Sequence, residues 1–345
     1  MVKGNAAIEI FMEHKLIFPY DYLNEIKNEL SEDNKYNIYY VLKGHRYIIK
    51  SFDILNLHDF IIIIWDLVKN SSVIIPLNIG TFLQLPDMNC VELKIVDNGS
   101  MMQVDFTSKG MSFLNAYEPQ YVQDNQEIIN KYGHMRLQFH AKILFDLFMK
   151  FQNKETEDEY ELLYIGQTQK SNIYDRLYGH NTIPEIMRYQ NREDGGEKYE
   201  LYIMVTGVHI KFFEEYNIKQ YLTNIITSDT LQDDFLINSG LISKAEVVDI
   251  AEAMLILYFK PKYNDKLKNT KSPEILRTYS VFNDCLINPI DYSLDLYFED
   301  NRKKIILKTD TVSTAYKQNL LKCEFDENGK VNDIVLEHNI MDVYL

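Results

Sequence analysis

A small set of polar side chains lies in a constrained order in the second half of the 345-residue chain. Tyr164-Ile165-Gly166 closes a stretch that begins at Tyr160, Asp175-Arg176-Leu177-Tyr178-Gly179-His180 follows, and Glu252 and Asn264 come much later. A glycine at a strand end lets the backbone turn tightly and approach a ligand closely. Arg176 and His180 are four positions apart, so a helix puts them on one face. Fixed positive charge, a group able to transfer a proton and a tyrosine hydroxyl together suit a phosphate. Glu252 interrupts an apolar run from Ile250 to Leu257. It is either an exposed-face residue or a single oxygen ligand for a hard cation.

These residues need a scaffold of strands and helices. The patterning predicts strands over 160–166 and 200–206, adjacent and antiparallel, with a helix over 173–180 between them. A second helix is expected over 245–259, ended by Pro261. Upstream, short strands are expected at Tyr36–Tyr40 and Tyr47–Ile49. A meander should follow over 73–106, with its last turn at Asp97-Asn98-Gly99-Ser100. Residues 115–135 read as a polar linker, 136–152 as either helix or strand, and Asn153–Glu159 as a solvated turn. Beyond about 290 two hairpins are expected, one turning at Glu299–Lys303 and one at Glu327-Asn328-Gly329. They form either a separate β module or an extension of another sheet.

In order and spacing, this set resembles the GIY-YIG nuclease domain. Tyr164-Ile165-Gly166 matches the YIG half, Arg176 and His180 match the first helix, and Glu252 matches the metal-binding glutamate. Asn264 follows twelve positions later in a Pro-x-Tyr-Asn ending, similar to the excision-repair incision subunit of that family. The resemblance covers roughly residues 140–270. Upstream there is no Gly-Ile-Tyr or close variant, and a hairpin turn at Asn153–Asp158 would set Phe145–Phe148 opposite Tyr164. The first family tyrosine is therefore without a counterpart, with Tyr160, Tyr174 and Tyr178 as substitutes. The resemblance implies an α+β protein with a small antiparallel sheet flanked by helices in its middle. Three contiguous parts are expected: an N-terminal α+β domain over 1–135, the nuclease-like domain over 136–270 and a β-rich module over 271–345.

The implied activity is hydrolysis of phosphodiester bonds, in DNA rather than RNA and in restriction or phage defence. One Mg²⁺ or Mn²⁺ would be held by Glu252, with Tyr164, Arg176, His180 and Asn264 completing the site. The alternative is a nuclease-like interaction module without activity. Charge bears on partners: 36 basic against 51 acidic residues leave −15, so the chain lacks a general field for polyanions. A local exception spans 260–280, where Lys260, Lys262, Lys266 and Lys268, with Lys271 and Arg277, outnumber Asp265 and Glu274. That stretch either tracks a nucleic-acid backbone or is a solvated linker. The acidic flanking regions suit a protein partner or a second copy. Few, scattered cysteines and the lack of a signal-like or membrane-spanning apolar run point to a cytoplasmic protein.

Overall fold

The computed structural model describes residues 6–31, 35–169, 172–179, 182–193, 197–213, 243–265, 267, 287–298, 302–313, 318–325 and 331–338. They form a mixed α+β structure with one nine-stranded sheet and two three-stranded antiparallel sheets. The chain divides into two compact units. One is built from Met1–Gly44, Thr156–Tyr189 and Leu201–Leu345, the other from His45–Glu155 and Gln190–Glu200. The sequence predicts three contiguous parts. Strand pairing instead assembles each unit from separate stretches, because the strand Ile38–His45 leaves the first unit at Gly44 and its partner strand returns at Thr156.

In the first unit the strands are β1 (Ala6–Pro19), β2 (Ile38–His45), β9 (Thr156–Gln167), β10 (Tyr199–Phe213), β11 (Ile287–Asp295), β12 (Tyr297–Phe298), β13 (Lys303–Lys308), β14 (Gln318–Phe325) and β15 (Val331–His338). Their order is β12-β13-β9-β2-β10-β1-β11-β14-β15. β9 and β10 are therefore not neighbours as expected, since β2 lies between them. Nor does the sheet form a small separate one in the middle of the chain. Both C-terminal hairpins pair, Tyr297 with Lys304 and Cys323 with Ile334, and they extend opposite ends of the large sheet. The Glu327–Gly329 turn lies outside the described residues. Asn153–Glu159 is only in part a turn, because β9 begins at Thr156 and pairs in parallel with β13.

Among the described residues the helices of this unit are α1 (Lys27–Leu30), α7 (Ile173–Tyr178), α8 (Thr182–Glu193) and α9 (Lys244–Phe259). α9 starts on a reciprocal cap, in which Ser243 accepts from the Glu246 amide and Glu246 accepts from the Ser243 amide. It is apolar nearly all round, and Val247, Ala251, Met254, Leu255 and Phe259 join Tyr40, Leu162 and Ile165 in one core. Such a helix is stable only when buried. A second core sits on the alternate residues of the same strands, where Tyr39, Val41 and Leu163 meet Ile173 and Leu177 of α7 and Ile183 and Ile186 of α8.

The second unit holds β3 (Tyr47–Ile54), β4 (Asp59–Asp66) and β5 (Ser71–Asn78) in one sheet, and β6 (Val91–Val96), β7 (Met101–Phe106) and β8 (Arg136–His140) in the other. Phe60, Ile62 and Ile64 alternate into its core, a period of two that makes the Phe60–Trp65 run a strand. The turn before β7 carries positive φ at Asp97, Asn98 and Gly99. Five helices complete the unit: α2 (Ile79–Leu83), α3 (Ser108–Tyr117), α4 (Pro119–Asp124), α5 (Gln126–Tyr132) and α6 (Ala141–Phe151). Residues 115–135, expected as a linker, are thus largely helical, with Pro119 opening α4 and Gly133 closing α5 at φ 80°. No described helix is long and apolar enough to cross a membrane.

Candidate active site

β2 and β9 carry the centre of the site. Their antiparallel register sets Tyr39 opposite Gly166, Tyr40 opposite Ile165 and Val41 opposite Tyr164. Tyr39 is fully buried, and its ring lies 6.1 Å from that of Tyr164, tilted by 34°. Gly166 is what permits this approach. A Cβ there would overlap the hydroxyl end of Tyr39 and come within 2.9 Å of Tyr164 Cε1. The strand residue opposite Tyr164 is Val41, and the ring beside it is that of Tyr39, diagonal across the strand pair and 125 positions upstream, rather than one from 145–148. Phe145 and Phe148 belong to α6 in the other unit. The expected substitutes do other work: Tyr160 packs edge-on against Tyr202, Tyr174 donates to Asn24 Oδ1 at 3.0 Å, and Tyr178 stacks on Tyr174.

α7 contributes Arg176. Asn172 caps the helix by accepting from the Asp175 amide, and Ile173 and Leu177 anchor it in the core, which leaves Arg176 at the surface end of the site. The guanidinium lies within electrostatic reach of Tyr39, Tyr164 and Glu252. Glu252 is the single acidic break in the apolar middle of α9 and is half-buried. Burial pushes its carboxyl up to about 7, Asp249 one turn earlier adds to the rise, and Gln167 and Arg176 offset part of it. Burial also raises both tyrosine hydroxyls above their ordinary value, Tyr39 most strongly. Both are neutral hydroxyls around pH 7.

Asn264 stands behind the strand. Parallel pairing with β13 ends at Glu161, and from there Tyr263 donates its amide to Leu163 O while the Asn264 carboxamide both accepts from Ile165 N and donates to Ile165 O, at 2.9 and 2.8 Å. Its side chain takes the place of a missing strand neighbour for the residue just before Gly166. Tyr164, Arg176 and Glu252 come together, with Asn264 as a brace. His180 lies outside the described residues, as do Lys266 and Lys268. Lys260 is exposed at the left-handed end of α9, and exposed Lys262 lies over the Tyr263 ring.

Sequence reading missed Tyr39, although it stands in Asn37-Ile38-Tyr39, and missed Gln167 and Asp249, which flank Glu252. A carboxyl raised to about 7 is short of positive charge, a deficit that one divalent cation on oxygen ligands would fill. Among the described residues no group of three or more His, Cys, Asp or Glu gathers to hold a metal. A cation here would draw most of its shell from water and substrate. The chain matches no protein-family model, and comparison with curated proteins and with solved structures finds no match.

Proposed function

We propose that the first unit is a GIY-YIG-like, metal-dependent endonuclease that hydrolyses phosphodiester bonds, in DNA by preference. The observation that carries the reading is the pairing of Tyr39 with Tyr164 across Gly166, beside Arg176 and Glu252. Tyr39 supplies the second hydroxyl whose absence would favour a non-cleaving module. The Arg176 guanidinium would pair with the scissile phosphate and stabilise charge that grows in the transition state. The Tyr164 hydroxyl, neutral and half-buried, would orient the attacking water and take part in moving its proton, and Tyr39 would hold Arg176 and the Tyr164 ring in place. Glu252 would hold one Mg²⁺ or Mn²⁺, which when bound supplies Lewis-acid stabilisation of the phosphate oxygens. Asn264 fixes the β9 backbone on which Tyr164 and Gly166 sit. Lys260 and Lys262 lie just beyond α9, where they could meet the flanking phosphates.

The test is incubation of the purified full-length protein with supercoiled plasmid DNA, with Mn²⁺ or with excess chelator, beside Glu252→Ala. Nicking or linearisation by the wild type in Mn²⁺ alone is the expected result. Equal cutting in chelator, or by the Glu252→Ala protein, would remove the one-metal reading.

A further inference from the structure

Among its described residues the first unit leaves two large apolar side chains exposed, Tyr178 at the end of α7 and Tyr189 on α8. Each is backed by a second tyrosine. Tyr178 is 70% exposed and stacks on Tyr174, one helical turn earlier, with ring centroids 5.8 Å apart and planes 19° from parallel. Tyr174 is itself fixed: its hydroxyl donates to Asn24 Oδ1, and Lys27 Nζ lies 5.3 Å from its ring centroid. Tyr189 lies against Tyr263 at 6.2 Å and 37°, and Lys262 Nζ stands 5.5 Å from the Tyr263 centroid. The two backing rings, Tyr174 and Tyr263, pack on the same core as Tyr39 and Tyr164. Each pair is also tied to the site along the chain. Tyr178 is two positions beyond Arg176 on one helix, a Cα separation of about 5.5 Å. Tyr263 donates its amide to Leu163 O, next to Tyr164.

We infer that the exposed rings of Tyr178 and Tyr189 are stacking platforms for unpaired bases, so that the nucleic acid taken by this site is single-stranded beside the scissile phosphate. This rests on the nuclease reading above and adds to it the form of the substrate. A base inside a duplex has both faces covered by its neighbours, so an open aromatic ring can take only a base that has left the stack. With a phosphate on Arg176, the Tyr178 ring lies within about one or two nucleotide steps of it. The lysines over the backing rings put positive charge where the strand's phosphates would run. Stacking also suits the charge of the chain: at −15 it has no general field for polyanions, and a base held by its face needs none.

The test uses the full-length protein in excess chelator, so that nothing is cut. The probes are a single DNA strand carrying the fluorescent base analogue 2-aminopurine and a blunt duplex of the same sequence. The single strand should bind more tightly, and its emission should fall as the analogue stacks. Tyr178→Ala and Tyr189→Ala should each weaken single-strand binding by about 5–100-fold and reduce the quenching, with duplex binding unchanged. Tyr178→Trp and Tyr189→Trp keep a ring and should stay within about threefold of wild type. Both side chains are exposed, so circular dichroism melts of the four variants should match the wild type. A folded alanine variant with wild-type affinity and quenching, at either position, or a wild type that prefers the duplex, overturns the platforms, while plasmid cleavage in Mn²⁺ would leave the nuclease reading standing. A wild type that binds neither probe and leaves plasmid uncut overturns both.

Discussion

Asp105 in the second unit and Glu252 in the first are both drawn from water, and the two are treated in opposite ways. Asp105 on β7 is 5% exposed, and its two oxygens meet Arg136 Nε at 2.7 Å, Gln103 Nε2 at 2.8 Å, Lys94 Nζ at 3.0 Å and His134 Nε2 at 3.1 Å. Burial alone would raise its carboxyl, but these hydrogen bonds together hold it well below the usual carboxylate range. Glu252 is raised by burial and by Asp249, with Gln167 and Arg176 providing too little to compensate, and stands at about 7. A carboxylate saturated by its own protein has nothing left to bind and is structural. One raised by burial, beside an arginine and two hydroxyls, has no such set of donors and is the candidate for a functional role. The contrast separates a buried ion-pair network from a site.

The largest expected effect falls on activity. Glu252→Gln and Arg176→Ala should each lower plasmid cleavage in Mn²⁺ by about a thousandfold or more, whereas Asp105→Ala should leave the rate per folded molecule of the first unit within a few-fold. A loss at Asp105 as large as at Glu252, in protein shown to be folded, would erase the distinction. Stability should respond the other way round. Asp105→Ala strands Arg136 and its neighbours and should destabilise the second unit by about 3–5 kcal/mol, seen as an earlier denaturant transition.

pH sharpens the same contrast. The folded-state pKa of Glu252 lies above the ordinary 4.5, so the folded protein holds a proton that the unfolded chain releases. Its penalty is absent below about pH 4.5, grows up to about 7, and then amounts to about 3 kcal/mol. Glu252→Gln should therefore stabilise the first unit by up to that amount at pH 8 and not at pH 4, by urea titration at both values. The Asp105 contribution has the opposite sign. It is full above its ordinary pKa of 3.8 and is lost as pH falls below it toward the depressed folded value. The smallest effect is expected for Tyr39→Phe, which keeps the ring and removes the hydroxyl within electrostatic reach of Arg176 and Tyr164. Cleavage should fall about 10–100-fold, roughly 1.4–2.7 kcal/mol, with little change in melting temperature.

How much of this was legible in the sequence depends on the distance over which each signal acts. The α9 helix and the turn at Asp97–Gly99 follow from local periodicity and turn chemistry, and they were readable. So was the order Tyr164, Gly166, Arg176, Glu252, Asn264, because a strand end and two helices suffice to state it. Tyr39 was not, since its partner is set by strand pairing across 125 positions and no local spacing reports such a contact. The insertion of β2 between β9 and β10 was hidden for the same reason. The helices of 115–135 were masked by their polarity, since only Val122, Met135 and a few half-buried side chains tie that stretch to its core.

The β2–β9 register has a kinetic side as well. Tyr39 cannot meet Tyr164 until a loop of 125 residues has closed, and an unstructured loop of that length costs about 2 kcal/mol more in chain entropy than one of about ten residues. On a growing chain, β2 emerges early and must wait for β9 while the residues of the second unit are made. Structure gained within 45–155 shortens the effective loop, because Lys43 and Glu161, just outside its two ends, are paired neighbours in the sheet. The inserted stretch can thus serve as a clasp that speeds the meeting of Tyr39 and Tyr164, and a destabilised second unit should delay the first in refolding experiments.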